Sequence, residues 1–427
     1  MDTVPERRSP DRAPGRASHA PHPALFALGS APYGSFNGLI AVALPYVLEQ
    51  HGIPLERIAS IGALVQAPAI WYFLWAPVVD VGLPRRTWII LLSLASAVCA
   101  ALAIGMDTGP AIRTMTVLLI CASVFSQPVS SAVGGLIASV MRNEVRGRTA
   151  GWSQAGILGA GVLTGVIVIW LTGVASTTLT ALVAAVMIAT PAFAMLAVDE
   201  RRPGKMTLRA HLASMFHDVV ATLKRREVWL GLVFFLSPIG AGALMNLFSA
   251  MSSDFHASSD IVIWVVAIAG LLTPAGALVG GIICDRFDRW HVYPVAGLTA
   301  ALAAGWVILA PLTPFTYLAG AAAYALATGF AYAAGMALAL ELLGEGSTAS
   351  GTRFTLFMAA MNVPVVYMMR LDGLGHEHFG VRGMLATDAL ANGIFGLVLL
   401  GVTGGLRSLV NRSMGAKRVA AAVRREA

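Results

Sequence analysis

Long stretches without a charged side chain alternate with short polar segments along the chain. Residues 114–141 contain no Asp, Glu, Lys or Arg, and neither do residues 150–198 or 290–340. A helix needs about 20 apolar residues to cross a bilayer, so each of the two longer stretches can hold two crossings. The apolar runs are continuous and therefore do not fit β-barrel strands, in which polar and apolar side chains alternate.

The same pattern over the whole chain predicts an all-α polytopic membrane protein with twelve membrane-spanning helices. In residue numbers, the predicted helices are 24–48, 58–79, 87–106, 114–141, 150–171, 177–198, 228–251, 260–284, 291–311, 314–343, 352–371 and 383–406.

Composition supports this prediction. Charged residues make up 12% of the chain, against about 25% in a typical soluble domain, and the mean hydropathy is +0.74. These values exclude an ordinary globular enzyme, a disordered protein and a disulfide scaffold. The three cysteines, Cys99, Cys121 and Cys284, fall inside apolar runs without the spacing of a disulfide or metal site. We therefore expect neither a bound metal nor a cofactor.

The basic residues are unevenly distributed between the two sets of predicted loops. The tails and the loops on one side carry 25 of the 29 Lys and Arg residues. Cytoplasmic segments of membrane proteins carry such an excess, so we expect both termini in the cytoplasm. The net charge of +7 follows from this pattern and does not indicate nucleic-acid binding. We expect a monomer in the lipid bilayer of a bacterial cytoplasmic (inner) membrane.

Five segments follow from the positions of the predicted helices. A disordered cytoplasmic tail is expected over 1–23, and six-helix bundles over 24–198 and 228–406. The segment 199–227 between them is predicted to be an amphipathic helix on the inner leaflet, with a solvated linker as the alternative. A basic cytoplasmic tail covers 407–427.

The two predicted bundles are related by an internal repeat. Landmarks recur at offsets of 204 to 206 residues, which predicts parallel repeats of the kind used by secondary transporters. The matching pairs are Pro32 and Pro238, Pro68 and Pro274, Asp80 and Asp285, and Gly147 and Gly351.

Asp80 and Asp285 end the second and the eighth predicted helices. A carboxylate at a helix C-terminus opposes the helix dipole and therefore requires nearby cations. Pairs that form only when the cytoplasmic side is closed would bias a two-state transporter, whereas the alternative is that these charges only set topology. The candidate cations are Arg85, Arg86, Arg146 and Arg148 in the first half, and Arg286, Arg289 and Arg353 in the second.

Two segments carry a family resemblance. The Gly-x-x-x-Asp-Arg pattern at 281–286 and the segment 146–152 resemble the loop motifs of the major facilitator superfamily. The first-half copy departs from the family pattern at Ala76 and Val81. Segments 73–80 and 346–357 resemble the branch that holds AmpG-type muropeptide permeases, acetyl-CoA transporters and some siderophore permeases. The family resemblance implies alternating access but says little about the substrate, which we expect to be a small organic or amphipathic solute of muropeptide-like, siderophore-like or acyl-CoA-like kind.

Polar residues well inside predicted spans are costly and therefore mark candidate sites. They are predicted to line a midplane cavity for a neutral or amphipathic small molecule, and the alternative is interhelical hydrogen bonding or packing. The candidate substrate-binding residues are Tyr33, Asn37, Gln127, Tyr324 and Asn362.

Two carboxylates are candidates for proton coupling. Asp388 lies about one turn into the last helix, and Glu341 lies near the cytoplasmic end of the tenth. The alternative for Asp388 is an ion pair with Arg382 or Arg370. The fifth helix lacks the Gly-Pro signature of drug antiporters, and no phosphate-binding loop of an ATP-driven pump is present.

The sequence therefore predicts a secondary active transporter, not an enzyme, that takes up its substrate with protons. A transport-inactive sensor on the same fold and a facilitated-diffusion or efflux carrier remain alternatives.

Overall fold

The computed structural model describes residues 21–51, 53, 61–62, 64–80, 82–106, 111–200, 226–252, 254–343 and 350–426, with side chains for most of them. These residues form helices and no strand. The predicted tail before residue 21 and most of the predicted linker helix, 201–225, lie outside the described residues. The division into five segments therefore stays a prediction.

Thirteen α-helices are labelled here in chain order. They are α1 (Leu25–Gly38), α2 (Leu44–Gln50), α3 (Pro68–Trp71), α4 (Arg85–Ile104), α5 (Ile112–Val140), α6 (Arg146–Val174), α7 (Thr177–Ala189), α8 (Arg226–Phe235), α9 (Ala243–Leu247), α10 (Ser259–Arg286), α11 (Arg289–Leu309), α12 (Pro314–Leu343) and α13 (Ser350–Glu426). A π-helical stretch, Leu39–Ala43, joins α1 to α2, and 3₁₀ segments follow α3, α5, α7 and α9.

Among the described residues, nine segments are long and apolar enough to cross a membrane. The last, Phe354–Thr403, has 50 residues and bends back at Gly380, whose φ of 65° is a conformation that glycine adopts without strain. It therefore supplies two crossings, here called the first and second arms of α13. Two further crossings are interrupted helices, at α3 with its 3₁₀ extensions and at α8 with α9, and together these account for the twelve predicted.

The interrupted crossings differ from the prediction. A continuous helix over 228–251 is wrong, because α8 ends at Phe235 and α9 begins at Ala243. Between them Gly240 and Gly242 have φ values of 75° and 60°, and Pro238 lacks the backbone N–H that a helix needs. The predicted end of the eleventh helix at residue 371 is also wrong, because the first arm continues to the bend at Gly380.

Most buried apolar side chains fall into one shared core and two separate ones, and a small fourth cluster of Ala241, Ala243 and Met368 lies in the second half. The largest cluster combines both halves at the end of the molecule that carries Asp80 and Asp285, and includes Leu136 and Met141 from α5 and Phe354 and Phe357 from α13. Towards the opposite end one cluster belongs to the first half alone. A further cluster towards the same end belongs to the second half alone. The two halves are thus joined by buried apolar contacts mainly at one end.

Helices α6 and α10 cross in direct contact between the halves. A Cβ atom on Gly151 would lie 2.5 Å from the carbonyl oxygen of Ala277 and 2.9 Å from the Cα atom of Gly281. Only residues without a side chain allow backbones to approach this closely. The loop that follows α10 is thereby brought next to the start of α6.

Candidate functional site

The two motif aspartates each pair with an arginine near the start of a helix. Asp80 is buried and accepts hydrogen bonds from Arg85, with Nε and Nη2 both 2.8 Å from Oδ1. Because Arg85 begins the next helix of the same half, this pair does not join the halves. Arg86 donates to the carbonyl oxygen of Val198 at 2.8 Å, also within the first half.

Asp285, in contrast, faces the other half. Nε of Arg148, in the first turn of α6, lies 3.2 Å from Oδ2 of Asp285 at the end of α10. The Arg148 side chain is 52% exposed, whereas that of Asp285 is 6% exposed. Arg286, the next residue, has an exposed side chain. Asp285 is therefore hydrogen-bonded to Arg148, one of the cations that the sequence analysis assigned to the first half.

Arg146 is fully buried where α5, α6 and α12 meet. Its guanidinium donates to the carbonyl oxygens of Ala138 at 2.6 Å and Met141 at 3.2 Å, both at the end of α5. A third hydrogen bond, of 3.2 Å, reaches Leu340 in the second half. These acceptors are among the last carbonyls of two helices, which lack partners within their own helix. Arg146 therefore joins two helix C-termini across the interface.

Arg289, at the start of α11, makes the corresponding contacts from the second half. It donates to the side-chain oxygen of Asn143 at 3.0 Å, across the interface, and to the carbonyl oxygen of Cys284 at 3.3 Å. Its Nη1 atom also lies 3.4 Å from Glu341. Trp290 donates to the other carboxylate oxygen of Glu341 at 3.2 Å. Glu341 is thus held at this end of the molecule, away from Asp388.

The contacts that join the halves at this end are here called the interhalf clamp. Ser131 and Thr355, whose hydroxyls are hydrogen-bonded to each other, also belong to it. The phenyl ring of Phe354 fills the space beside Gly134, where a Cβ atom would overlap it. The clamp consists of Ser131, Gly134, Asn143, Arg146, Arg148, Asp285, Arg289, Leu340, Phe354 and Thr355.

The predicted substrate-binding residues are not brought together around one described cavity. Asn37 donates to the carbonyl oxygen of Tyr33 in its own helix at 2.9 Å, and both residues are half-buried. Gln127 is buried, and its amide nitrogen has no hydrogen-bond partner among the described residues. Asn362 is exposed.

A cavity of about 600 Å³ lies within the first half, beside the end of α4 that is remote from the clamp. None of the predicted substrate-binding residues lines it. Its lining includes Tyr46, His51, Met106, Met115 and Thr172.

The last predicted substrate-binding residue, Tyr324, contacts a predicted coupling residue instead. Its hydroxyl donates to Oδ1 of Asp388 at 2.9 Å, and both residues are buried. Arg370 and Arg382, the cations expected as alternatives, have exposed side chains. Asp388 is therefore held by a tyrosine hydroxyl rather than by an ion pair among the described residues.

Asp372 is a buried carboxylate that the sequence analysis missed. It is 0% exposed, neither carboxylate oxygen has a hydrogen-bond partner among the described residues, and it interacts electrostatically with Asp388. The prediction placed it in the loop after a helix that ended at residue 371. Asp372 lies eight residues before Gly380, and Asp388 lies eight residues after it. This equal spacing is the sequence signal that could have paired the two carboxylates.

Comparison with known proteins connects these features to a fold. The sequence model of the Major Facilitator Superfamily matches residues 230–424, which are largely the second half. No curated protein sequence matches the chain.

Three solved structures resemble the whole molecule. The human organic anion transporter MFSD10 (TETRAN) has a TM-score of 0.63 at 16% identity, over 88% of this chain and 98% of its own. The proton:xylose symporter XylE, bound to 6-bromo-6-deoxy-D-glucose, has a TM-score of 0.62 at 15% identity, over 90% and 94%. The E. coli fucose:proton symporter FucP has a TM-score of 0.65 at 12% identity, over 88% and 97%.

The predicted fold class is therefore confirmed. The chain has the major facilitator fold, an all-α, multi-pass membrane architecture of two six-helix halves.

Proposed function

We propose that this protein is a secondary transporter that works by alternating access. The observation that carries the proposal is the unequal contact between the halves. They share one buried core and the interhalf clamp at one end, whereas each half has its own core towards the other end. Such an arrangement is one of the two states that rocking of two repeats about a central site requires.

The clamp is built from contacts that can separate. Arg148 is half-exposed, so its pair with Asp285 contributes only about 0–1 kcal/mol. The hydroxyls of Ser131 and Thr355 can exchange their mutual hydrogen bond for bonds to water. The polar cost of opening these two contacts is therefore modest, and substrate binding can shift the population between the two states.

The basic loops support an orientation for this state. The clamp lies beside Arg85, Arg86 and Arg286, on the side that carries most Lys and Arg residues. In the proposed orientation this side is cytoplasmic, both termini are cytoplasmic, and the described state is closed towards the cytoplasm. We place the protein in the cytoplasmic membrane of a bacterium, as a monomer.

Substrate and coupling are the finer parts of the proposal. Asn37, Gln127 and Asn362 offer uncharged amide groups, which suit a neutral or amphipathic small organic molecule. The resemblance of segments 73–80 and 346–357 to the muropeptide and acetyl-CoA branch favours muropeptide-like, siderophore-like or acyl-CoA-like solutes. Proton-driven uptake is supported by the buried Asp388, and two of the similar structures are proton symporters.

The test cross-links the two halves at the clamp with a disulfide, so it does not require knowledge of the residues that bind the substrate. In a variant with its native cysteines replaced, Ser131→Cys and Thr355→Cys place two thiols where hydrogen-bonded hydroxyls stand. Uptake of muropeptides, siderophores and acyl-CoA is measured in proteoliposomes, with and without an inward pH gradient. Oxidation should abolish uptake in the double variant and a reductant should restore it, while each single variant is unaffected.

The outcomes separate the alternatives. Uptake that ignores the pH gradient indicates facilitated diffusion, and substrate extrusion indicates an efflux carrier. Substrate binding without any transport, in reduced and oxidised protein alike, indicates a transport-inactive sensor and contradicts the proposal.

A further inference from the structure

Two buried carboxyl groups lie at the same level of the two arms of α13. Asp372 precedes the bend at Gly380 by eight residues, and Asp388 follows it by eight. At a rise of 1.5 Å per residue, each lies roughly 12 Å along its arm from the bend. Both residues are 0% exposed, whereas the residues at the bend, such as Phe379, are exposed.

Direct packing of the arms brings the carboxyl groups into range of each other. A Cβ atom on Gly383 would overlap the carbonyl oxygen of Gly375, so the backbones of the two arms touch at this level. A Cβ atom on Gly375 would also lie 2.5 Å from the hydroxyl of Thr387. Asp372 lies three residues before Gly375 and Asp388 lies five residues after Gly383, and their carboxyl groups are close enough to interact electrostatically.

The hydrogen bonds around the pair leave three oxygens unsatisfied. The Tyr324 hydroxyl donates to Oδ1 of Asp388 at 2.9 Å, and Asn392 donates to the Asp388 carbonyl oxygen at 3.0 Å. Among the described residues, Oδ2 of Asp388 and both carboxylate oxygens of Asp372 have no hydrogen-bond partner.

No described cation approaches the pair. Arg370 and Arg382, the basic residues on the same arms, have exposed side chains. The titratable groups that face the pair are Tyr324 and, beyond it, Tyr332, both on α12. Helices α5, α8, α9 and α11, which also pack against the arms, place no titratable side chain beside it within the described part of the chain.

Two like charges in this environment would be costly. A buried ionised carboxylate requires a positive partner or several donors, and here the two carboxyl groups have only the Tyr324 hydroxyl and, beside Asp388, the Asn392 amide among the described residues. A single positive charge bound between them removes most of this cost. The unsatisfied oxygens are the ligands that such a cation would use.

We propose that Asp372 and Asp388 form one binding site for a monovalent cation, either a proton shared by the two carboxyl groups or a sodium ion. A proton would complete an O–H on one carboxyl group and donate to the other, while sodium would be held by the three unsatisfied oxygens. Tyr324 is a positioning residue that orients Asp388. The site deepens the proposed transport function by naming where the coupling ion binds, and it rests on that function only for its role in coupling.

The test measures thermal unfolding of the full-length protein in detergent between pH 6 and 9, roughly the range over which a paired buried carboxyl group can titrate. Each series is run in choline chloride and in sodium chloride at equal ionic strength. In choline, the unfolding midpoint of the parent protein should fall as the pH rises, because loss of the proton leaves two facing charges. Asp372→Asn, Asp388→Asn and the double variant should show progressively weaker pH dependence. Glu377→Gln, an exposed carboxylate on the same arm, serves as the matched control and should follow the parent.

Sodium chloride decides the identity of the ion. If sodium restores the unfolding midpoint at high pH in the parent but not in the double variant, the site binds sodium. If the midpoint of the parent falls with pH equally in both salts, the site binds a proton. Labelling with a hydrophobic carbodiimide, which reacts with protonated carboxyl groups, gives a second measurement that needs only the folded parent protein. For a proton site, the adduct should map to the Asp372 or Asp388 peptide. For a sodium site, sodium chloride should suppress this adduct.

The cation site is overturned if the unfolding midpoints of the parent and the double variant depend on pH in the same way in both salts and no adduct forms on either peptide. Neither readout requires transport. A protein that transports but lacks these signatures therefore loses only the cation site, and one that shows them without transporting loses only the proposed function.

Discussion

Nε of Arg148 lies 3.2 Å from Oδ2 of Asp285, and this ion pair joins the first half of the chain to the second. The corresponding aspartate of the first half, Asp80, pairs with Arg85 inside its own half. The Asp285–Arg148 pair therefore crosses the interface between the halves, whereas the Asp80–Arg85 pair lies within the first half.

The first prediction concerns this ion pair, with Cys284 as a native reporter. Cys284 is buried beside Gly147, at the point where α10 meets α6. Asp285→Asn should increase the open population at this end roughly two- to five-fold, as expected for loss of a half-exposed pair of about 0.5–1 kcal/mol. Maleimide labelling of Cys284, with Cys99 and Cys121 replaced by alanine, should accelerate by a similar factor.

Arg286→Gln is the control for that change, because Arg286 is exposed and adjacent in sequence. Its labelling rate should match the parent. Equal rates for Asp285→Asn and Arg286→Gln would mean that Asp285 only sets topology.

The second prediction concerns the glycine contact between α6 and α10. Gly151→Ala should destabilise the closed protein by about 1–3 kcal/mol, because the added methyl group overlaps the backbone of α10. Gly159→Ala, on the same helix with nothing within 4 Å, should be neutral or slightly stabilising. Thermal unfolding of both variants in detergent measures the difference, and similar midpoints would contradict the contact.

The third prediction concerns the buried guanidinium of Arg146. Lysine keeps the charge but lacks the planar set of donors that reaches three carbonyl oxygens at once. Arg146→Lys should therefore lower stability by about 1–3 kcal/mol, as expected for carbonyls left without a donor. Arg142→Lys, at an exposed position in the same loop, should leave the unfolding midpoint unchanged.

The fourth prediction separates the two carboxylates considered for coupling. Asp388→Asn should abolish substrate accumulation but spare substrate exchange, because exchange needs no net proton movement. Glu341→Gln should retain accumulation, since Glu341 contacts Arg289 and Trp290 in the neighbourhood of the clamp. Both are measured in proteoliposomes with an imposed pH gradient. Accumulation that survives Asp388→Asn and resists a protonophore would contradict proton coupling through Asp388.

The fifth prediction concerns orientation. Reporter fusions made after Ser176 or Glu377 should report the outer face, and fusions after Arg86 or Asp288 the cytoplasm, following the distribution of basic residues. Activity of the opposite kind at two or more of these positions would reverse the proposed orientation and place the clamp outside.

Much of the fold was predictable because each of many membrane-spanning segments corresponds to one continuous apolar run in the sequence. The apolar run over 314–343 coincides with α12, and the charge-free stretch over 150–198 indeed holds two crossings, α6 and then α7 with its 3₁₀ extension. Lipid requires every backbone polar group to be satisfied within the helix, so apolar length alone defines such segments. The interrupted crossing at α8 and α9 escaped prediction, because a helix break inside the membrane depends on neighbouring helices that replace its lost hydrogen bonds.

Which polar residue contacts which was decided by the tertiary structure. The sequence marked Asp285, Arg146 and Asp388 as unusual, because charge is costly near or within a membrane span. It did not determine that Asp285 faces Arg148 or that Arg146 binds carbonyl oxygens, since several arginines were equally near in sequence. These choices depend on how α6 crosses α10, which glycine contacts set.

The carboxyl pair shows the same division most clearly. The sequence by itself determined that a carboxylate, Asp388, lies inside the last helix. Only the bend at Gly380 and the contact between Gly375 and Gly383 place Asp372 beside it, sixteen residues away along the chain. In one straight helix the two would be roughly 24 Å apart. The local sequence pattern identifies the residues that are costly to bury, whereas only the packing of distant segments decides which of these residues lie beside each other.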